Sequence, residues 1–260
     1  MNYLVSLLIG LFLSAGVTAQ QWKLVWSDEF TQPGMPDPKK WAYEIGANGW
    51  GNKEKQEYTR ADSKTASVRN GSLFITAYKS AEGNYYSSRL VTRGLASWRF
   101  GRIEIRARLP KGRGIGAAIW MLPADDAYGD WPASGEIDLM EFIGTQPDSI
   151  FTGLHMDAYN QELGNQKRKG HFLPMNWQDF HVYALEWLDD HIYFKIDGNI
   201  VYRFKKEKDE MEVWPFDQPF YLILNVAVGG LTNGDKGIDD SIFPQSMEID
   251  YIRVSQPAAH

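Results

Sequence analysis

The 260-residue sequence contains no cysteine, so the protein has neither a disulfide nor a cysteine-ligated zinc site. Its net charge of −6 offers no positively charged surface for nucleic acid, which is therefore not an expected partner. Helical periodicity sustained over three turns is also missing beyond the first residues. A chain without disulfides must be stabilised by a buried core or a metal ion, and this chain is long enough to bury such a core.

Long hydrophobic runs are missing too, except at the start of the sequence. Residues 1–19 form a short apolar segment that ends in V-T-A, which is typical of a secretory signal peptide, although the segment lacks the usual Lys or Arg. We therefore predict cleavage before Gln20 and a secreted protein, extracellular or periplasmic, without membrane contact after cleavage. A membrane anchor is the alternative, but the run is shorter than the ~20 residues of a membrane span.

Alternating strand patterns dominate the rest of the chain. In RFGRIEIRARLP, Ile103, Ile105 and Ala107 alternate with charged residues, as in a strand with one buried face. Many such segments follow one another without an internal repeat or a Pro/Ser-rich linker. Residues 20–260 are therefore predicted to form one all-β domain, a two-sheet sandwich of jelly-roll type in which a curved sheet carries a groove.

One predicted strand, in the segment SGEIDLMEFIG at residues 134–144, contains three carboxylates. Side chains alternate in a strand, so Glu136 and Asp138 share one face while Glu141 falls on the other. One extra residue, a β-bulge at Leu139 or Met140, would return Glu141 to the face of the other two acids. The alternative is that Glu141 faces elsewhere and pairs with an arginine.

Three acids on one face of a strand have a chemical consequence. Their charges repel each other, so at least one pKa is raised. Glycoside hydrolysis uses a carboxyl pair with separated pKa values: one group is ionised and attacks or stabilises the anomeric carbon, and the other protonates the leaving oxygen. The sequence therefore predicts a glycosidase site on this strand.

Segments along the whole chain resemble glycoside hydrolase family 16, and in particular its laminarinase (endo-β-1,3-glucanase) branch. They are LVWSDEF, NGWGNKEKQEYT, YYSSRLVTRG, FGRIEIRARLP, IWMLP, WPASGEIDLMEFIG, FYLILNVAVGG and FPQSMEIDYIRV. The resemblance implies a β-jelly-roll sandwich, concanavalin A-like, with a substrate cleft on its concave face. It also implies a monomeric catalytic domain over residues 20–260 that hydrolyses β-1,3-glucan without a catalytic cofactor.

The resemblance also implies roles for individual residues. Glu136 is the expected nucleophile, Glu141 the general acid/base of a retaining double displacement, and Asp138 the group that orients Glu136. Five further residues are expected to bind substrate: Trp131, Trp120, Arg89, Asn48 and His155. The alternatives are core packing for the two tryptophans, a surface ion pair for Arg89, a turn for Asn48 and a structural role for His155.

A structural calcium ion is a further implication of the resemblance. Many family members bind one on the convex side of the sandwich, and the matching positions are Glu29, Gly71 and Asp250. Calcium accepts backbone carbonyls as well as carboxylates, so a glycine is chemically admissible there. The alternative is a turn without metal.

Two segments depart from the laminarinase pattern. GIGAAIW has Gly116 and Ala117 where a Trp-Pro pair is usual, and LTNGDKGID stands where N-W-P-G is frequent. We therefore expect a more open cleft that accepts mixed-linkage β-1,3-1,4-glucan as well as laminarin. Two other functions stay open: a lectin-like β-glucan-binding module on the same sandwich, and a galactan hydrolase of the same family.

Overall fold

The structure, a computed structural model, describes residues 20–173, 177–234 and 236–258. The predicted signal peptide, residues 1–19, lies outside these described residues. None of the helices in the described part of the chain is long and apolar enough to cross a membrane.

Strands account for most of the regular structure. Their bounds in chain order are β1 Trp22–Asp28, β2 Ala42–Glu44, β3 Gln56–Tyr58, β4 Ala66–Arg69, β5 Ser72–Lys79, β6 Tyr85–Ser87, β7 Arg89–Val91, β8 Gly101–Arg108, β9 Ile115–Pro123, β10 Glu136–Ile143, β11 Ser149–His155, β12 Lys167–Phe172, β13 His181–Trp187, β14 His191–Ile196, β15 Asn199–Lys205, β16 Phe220–Val228 and β17 Gln245–Pro257. Two short helices, α1 Gly230–Asn233 and a 3-10 turn at Asp240–Ile242, lie between β16 and β17.

The strands form two sheets. The ten-stranded sheet has the order β15-β14-β13-β8-β17-β5-β6-β3, with β1 paired to β17 and β4 paired to β5. The seven-stranded sheet has the order β12-β11-β10-β9-β16-β7-β2. Its neighbouring strands are antiparallel, and the sequence-distant pairs β9-β16 and β16-β7 set its centre. The predicted all-β sandwich of jelly-roll type is confirmed.

The core lies between the sheets and follows from the alternation seen in the sequence. In β8, Ile103, Ile105 and Ala107 are fully buried, whereas the charged residues between them lie on the outer face. β16 is buried along its whole length, because its inner side chains enter the core and its outer side chains lie on the floor of a cleft. The outer face of the seven-stranded sheet carries this cleft, as predicted.

Candidate active site

Strand β10 contains the predicted bulge. Along the pairing with β9 the register shifts between Asp138 and Met140, and along the pairing with β11 it shifts between Asp138 and Glu141. Leu139 is therefore the extra residue. Bulges are frequent beside active sites because they turn a side chain onto a new face without ending the strand.

The bulge brings the three carboxylates to the same side of the sheet. Glu136 and Glu141 line the same cleft, with Asp138 in its floor between them. Four other side chains of the strand are buried in the core and fix β10 in place; they are Ile137, Leu139, Met140 and Phe142. The alternative orientation of Glu141, away from the other two acids, is not observed.

Glu136 accepts a hydrogen bond from the indole of the half-exposed Trp131, with 2.6 Å between Nε1 and Oε2. Burial of the carboxyl raises the pKa of Glu136 well above its ordinary value, and the negative charge of Asp138 adds to this effect. The positive charge of His155 and the hydrogen bond from Trp131 act in the opposite direction, because both stabilise the ionised form. Asp138 therefore favours the protonated form of Glu136, whereas His155 and Trp131 favour its ionised form.

Asp138 forms a buried ion pair with His155, and its Oδ2 lies 3.3 Å from the imidazole Nε2. Burial alone would lower the pKa of His155, but Asp138, Glu136 and Glu141 together raise it to about 9. Gly153 lies opposite Asp138 on β11, where a Cβ atom would stand only 3.1 Å from Oδ2. The absence of a side chain on this glycine leaves room for the aspartate.

Glu141 pairs with Arg168 from the neighbouring edge of the sheet, with 2.9 Å between Nε and Oε2. Burial and the charge of Asp138 raise the pKa of Glu141, whereas the arginine lowers it. The two glutamates therefore have different partners: a neutral indole for Glu136 and a guanidinium for Glu141. The partners alone do not assign the two roles, because the guanidinium favours the ionised form of Glu141; the assignment of nucleophile and acid/base follows the family pattern.

Aromatic and cationic groups form the wall of the cleft beside these acids. The Arg89 guanidinium lies between two indoles, 4.8 Å from the ring centroid of Trp50 and 4.6 Å from that of Trp120. Its Nε donates to Glu44 at 2.6 Å. The cleft has a volume of about 680 Å³, which places it within the usual range of ligand pockets.

The atoms of Glu136, Asp138 and His155 lie within 4.8 Å of one another, a spacing that would also suit a metal ion. Glu136 accepts a hydrogen bond from the indole of Trp131, and Asp138 and His155 form an ion pair with each other, although Asp138 Oδ2 and His155 Nδ1 have no hydrogen-bond partner.

Comparison with known proteins places this site in a family. The model of glycosyl hydrolases family 16 matches residues 52–253. The chain belongs to that family. A β-glucanase from Rhodothermus marinus is 48% identical, over 97% of this chain and 92% of its own.

Solved structures give the same result. The laminarinase from Rhodothermus marinus superimposes with a TM-score of 0.89 at 47% identity, over 93% of this chain and 100% of its own. SCLam, described as a non-specific endo-β-1,3(4)-glucanase, superimposes with a TM-score of 0.86 at 40% identity, over 93% of this chain and 94% of its own. The laminarinase from Flavobacterium sp. UMI-01 reaches a TM-score of 0.83 at 41% identity, over 90% and 100% respectively.

Most of the residues expected from the family pattern meet in the cleft. Asn48 does not line it: its side chain is exposed, and its Oδ1 accepts a hydrogen bond from the backbone N–H of Trp50 at 3.0 Å. This is the turn that was the alternative for Asn48, and contact with substrate stays a prediction. The predicted residues found together are Trp131, Trp120, Arg89, His155, Glu136 and Glu141, with Asp138 beneath them.

Trp50 and a polar network under the cleft were not predicted. Trp120 donates from Nε1 to Asn225 at 2.8 Å, and Asn225 donates to the Tyr58 hydroxyl at 2.9 Å. The hydroxyl lies 3.4 Å from the partly buried carboxyl of Glu54, which also accepts a hydrogen bond from Gln56. This chain of bonds fixes the Trp120 ring. The GWGN motif was a signal for Trp50, but the network joins strands far apart in sequence and leaves no local pattern.

The two departures from the family pattern meet in space. A Cβ atom on Gly116 would lie 2.2 Å from the Nδ2 atom of Asn233, the last residue of α1. Asn233 is buried, and its neighbour Thr232 lines the cleft. The room above Gly116 is therefore taken by a small amide from the substituted loop, so this part of the cleft has a low, polar wall.

The expected calcium positions converge at a junction of the ten-stranded sheet. β17 pairs with β5 up to Ile249 and with β1 from Ile252 onward, and Asp250 lies in a bulge between them. Glu29 follows β1 directly and Gly71 precedes β5, so the fold directs both toward this junction.

The carboxylates at this junction have arginine partners. Glu29 accepts two hydrogen bonds from Arg253, at 2.9 and 2.8 Å, and Asp250 accepts one from Arg106 at 2.5 Å. A guanidinium on each carboxylate competes with a cation, so these side chains as arranged do not fit a carboxylate-liganded calcium. Backbone carbonyls, such as that of Gly71, are the donors that suit calcium here.

Proposed function

We propose that this protein is a retaining endo-β-1,3(4)-glucanase that hydrolyses internal bonds of laminarin and of mixed-linkage β-1,3-1,4-glucan. One observation carries the proposal: the Leu139 bulge places Glu136 and Glu141 in one cleft, on either side of Asp138. The printed names of the relatives, a β-glucanase, laminarinases and an endo-β-1,3(4)-glucanase, support the substrate class. Family 16 glycosidases need no catalytic cofactor.

In the first step, Glu136 attacks the anomeric carbon in its ionised form, which the charge of His155 and the hydrogen bond from Trp131 favour, and forms a glycosyl-enzyme ester. Protonated Glu141 transfers its proton to the leaving glycosidic oxygen, so the aglycone departs as an alcohol. The protonated His155 balances the charge of Asp138 and thereby reduces its repulsion of Glu136. Glu141 ends this step ionised, next to the Arg168 guanidinium.

In the second step, Glu141 acts as a base. It removes a proton from a water molecule, the water oxygen attacks the anomeric carbon from the side that the aglycone left, and Glu136 departs as a carboxylate. Two inversions at one carbon give net retention. The indole N–H of Trp131 stabilises the departing Glu136 carboxylate through the 2.6 Å hydrogen bond.

The low wall at Gly116 supports a broad linkage preference. Because Asn233 is short and polar, it offers no aromatic ring on which a sugar would have to stack in one orientation. We expect release of reducing ends from laminarin and from barley mixed-linkage glucan at comparable rates. Strict dependence on laminarin would contradict the open-cleft proposal.

The test of the function is reducing-end release by the purified mature protein from laminarin, barley glucan and agarose, beside Glu136→Gln. Release from the glucans that is lost in the variant supports the proposal. Release from agarose alone would make the protein a galactan hydrolase. Binding without release from any polymer would favour the lectin-like alternative.

We also propose that the protein is secreted as a monomer. The apolar segment at residues 1–19 supports secretion. The proposal is tested by expressing the full chain and determining the amino-terminal residue of the exported protein, which is expected to be Gln20. A protein retained at the membrane with residue 1 intact would indicate an anchor. Light scattering of the exported protein checks the monomer.

We propose calcium binding at the junction of β1, β5 and β17 through backbone carbonyls, on the strength of the family resemblance and the convergence of Glu29, Gly71 and Asp250. Elemental analysis should find about one calcium per chain, and EDTA should lower the melting temperature. An unchanged melting temperature and no bound calcium would assign the junction to its arginine pairs alone.

A further inference from the structure

Arg168 occupies a distinctive place on the edge strand β12. It lies opposite Gly153, so no side chain separates it from Asp138 and Glu141. The guanidinium carbon lies 3.8 Å from the ring centroid of Phe151, which itself stands opposite Glu141 on β11. The arginine is thus held by an aromatic face while its Nε donates to Oε2 of Glu141 at 2.9 Å.

We propose that Arg168 is a positioning residue that sets the pH range of catalysis and the direction of proton transfer by Glu141. The proposal rests on the proposed function and goes beyond it, because it concerns a residue outside the family motif. Arg168 occupies Oε2, and we therefore assign Oε1 as the oxygen that carries the transferable proton. Its charge stabilises the ionised Glu141 that the first step produces and the second step requires.

The other charges around Glu141 do not duplicate this role. Asp138, on the same strand, raises the pKa of Glu141, as does burial. His155, on β11, lowers it but is already paired with Asp138. Glu136 lies two residues beyond Asp138, and the β9 neighbour of Glu141 is Ala118, which carries no charge. Arg168 is therefore the cation in direct contact with the acid/base.

The removal of this charge has a predictable sign. The arginine lowers the pKa of Glu141, so its loss raises that pKa and keeps Glu141 protonated to a higher pH. In Arg168→Gln, the basic limb of kcat/KM on laminarin should move upward by about one pH unit, the lower end of what a nearby opposite charge causes. Arg168→Lys keeps the charge and should return the limb toward that of the wild type.

Lys169→Gln is the matched control. Lys169 carries the same charge on the same strand, but it is exposed and alternates to the other face. The pH profile of laminarin hydrolysis by Lys169→Gln should equal that of the wild type. If Arg168→Gln does not fold, as judged by circular dichroism, Arg168→Met retains the contact of the side-chain stem with Phe151 and gives the same measurement.

An aryl laminaribioside provides a second readout. Its good leaving group needs no proton, so the second step limits turnover and requires ionised Glu141. The acidic limb of kcat should then move upward in Arg168→Gln. A purely structural role would lower rates without moving either limb, and that result would overturn the proposal. Because wild-type turnover of laminarin is measured in the same series, failure of the proposed function is seen separately.

Discussion

The outer faces of the two sheets both carry charged side chains, yet these charges are paired differently. On the ten-stranded sheet, acids and bases are matched: Arg106, for example, pairs with Asp250 near water. On the seven-stranded sheet, three acids face two cationic partners, His155 and Arg168, at a partly buried floor. Excess acid and burial, rather than the alternation itself, turn one face into a reactive site.

The largest expected effect separates the two faces directly. Glu136→Gln removes the nucleophile and should lower glucan hydrolysis by more than about a thousandfold. Glu104→Gln makes the same change on the ten-stranded sheet, where Glu104 pairs with Arg102, and should leave the rate unchanged. Reducing-end assays on both variants check this. More than a tenth of wild-type activity in Glu136→Gln would contradict the assigned role.

Deletion of Leu139 tests how much the bulge itself contributes. Without this residue, the three acids would alternate regularly and still share one face, while a buried leucine is lost. We expect partial activity and a loss of about 2–5 kcal/mol in the free energy of unfolding. Leu139→Ala, which keeps the bulge, is the control and should be destabilised similarly but remain more active. A folded, fully inactive deletion variant would show that the bulge geometry is indispensable.

His155→Gln removes the positive charge that pairs with Asp138 in the cleft. In the wild type, the stability gained from the Asp138 pair is fully present below the ordinary pKa of 6.5 and is lost as pH rises through about 9. The melting temperature of the wild type should therefore fall more between pH 7 and 10 than that of the variant. The acidic limb of kcat/KM should move upward, because the pKa of Glu136 rises without the imidazolium.

The control for His155 lies on the ten-stranded sheet. His191 pairs with the exposed Asp190 far from the cleft, so His191→Gln should leave the pH profile of hydrolysis unchanged. Equal pH dependence of melting in His155→Gln and the wild type would argue against the buried ion pair.

The smallest effect is expected for an ion pair of the matched face. Arg108→Gln breaks the contact with Glu248 at a half-exposed position. Such pairs contribute about 1 kcal/mol or less, so chemical denaturation should show a change of that size and hydrolysis should be unaffected. A loss of several kcal/mol in the free energy of unfolding would contradict the view that ion pairs on this face contribute little.

The sandwich and the bulge could be predicted because both leave a local trace in the sequence. A period of two residues identifies the strands, and the phase slip between Asp138 and Glu141 identifies the bulge. The substrate-binding roles of the tryptophans and of Arg89 were predicted from the family resemblance and not from a physical pattern in the sequence.

Arg168 and Asn233 could not be found in the same way. Arg168 sits in a lysine-rich run that reads as a solvated charge cluster, and only the pairing of β12 with β11 places it opposite Gly153. Asn233 fills space above Gly116, more than a hundred residues earlier in the chain. Both contacts depend on strand pairing between distant segments, which no local pattern encodes.

The position of β17 has a consequence for how the protein is made. This strand lies between β8 and β5 and also pairs with β1, yet it comes after all the other described strands in the chain. Without β17, the β8 side and the β5 side of the ten-stranded sheet are not joined. The strands on both sides of β17 therefore depend on a segment far away in sequence, and the ten-stranded sheet closes only after β17 has been made.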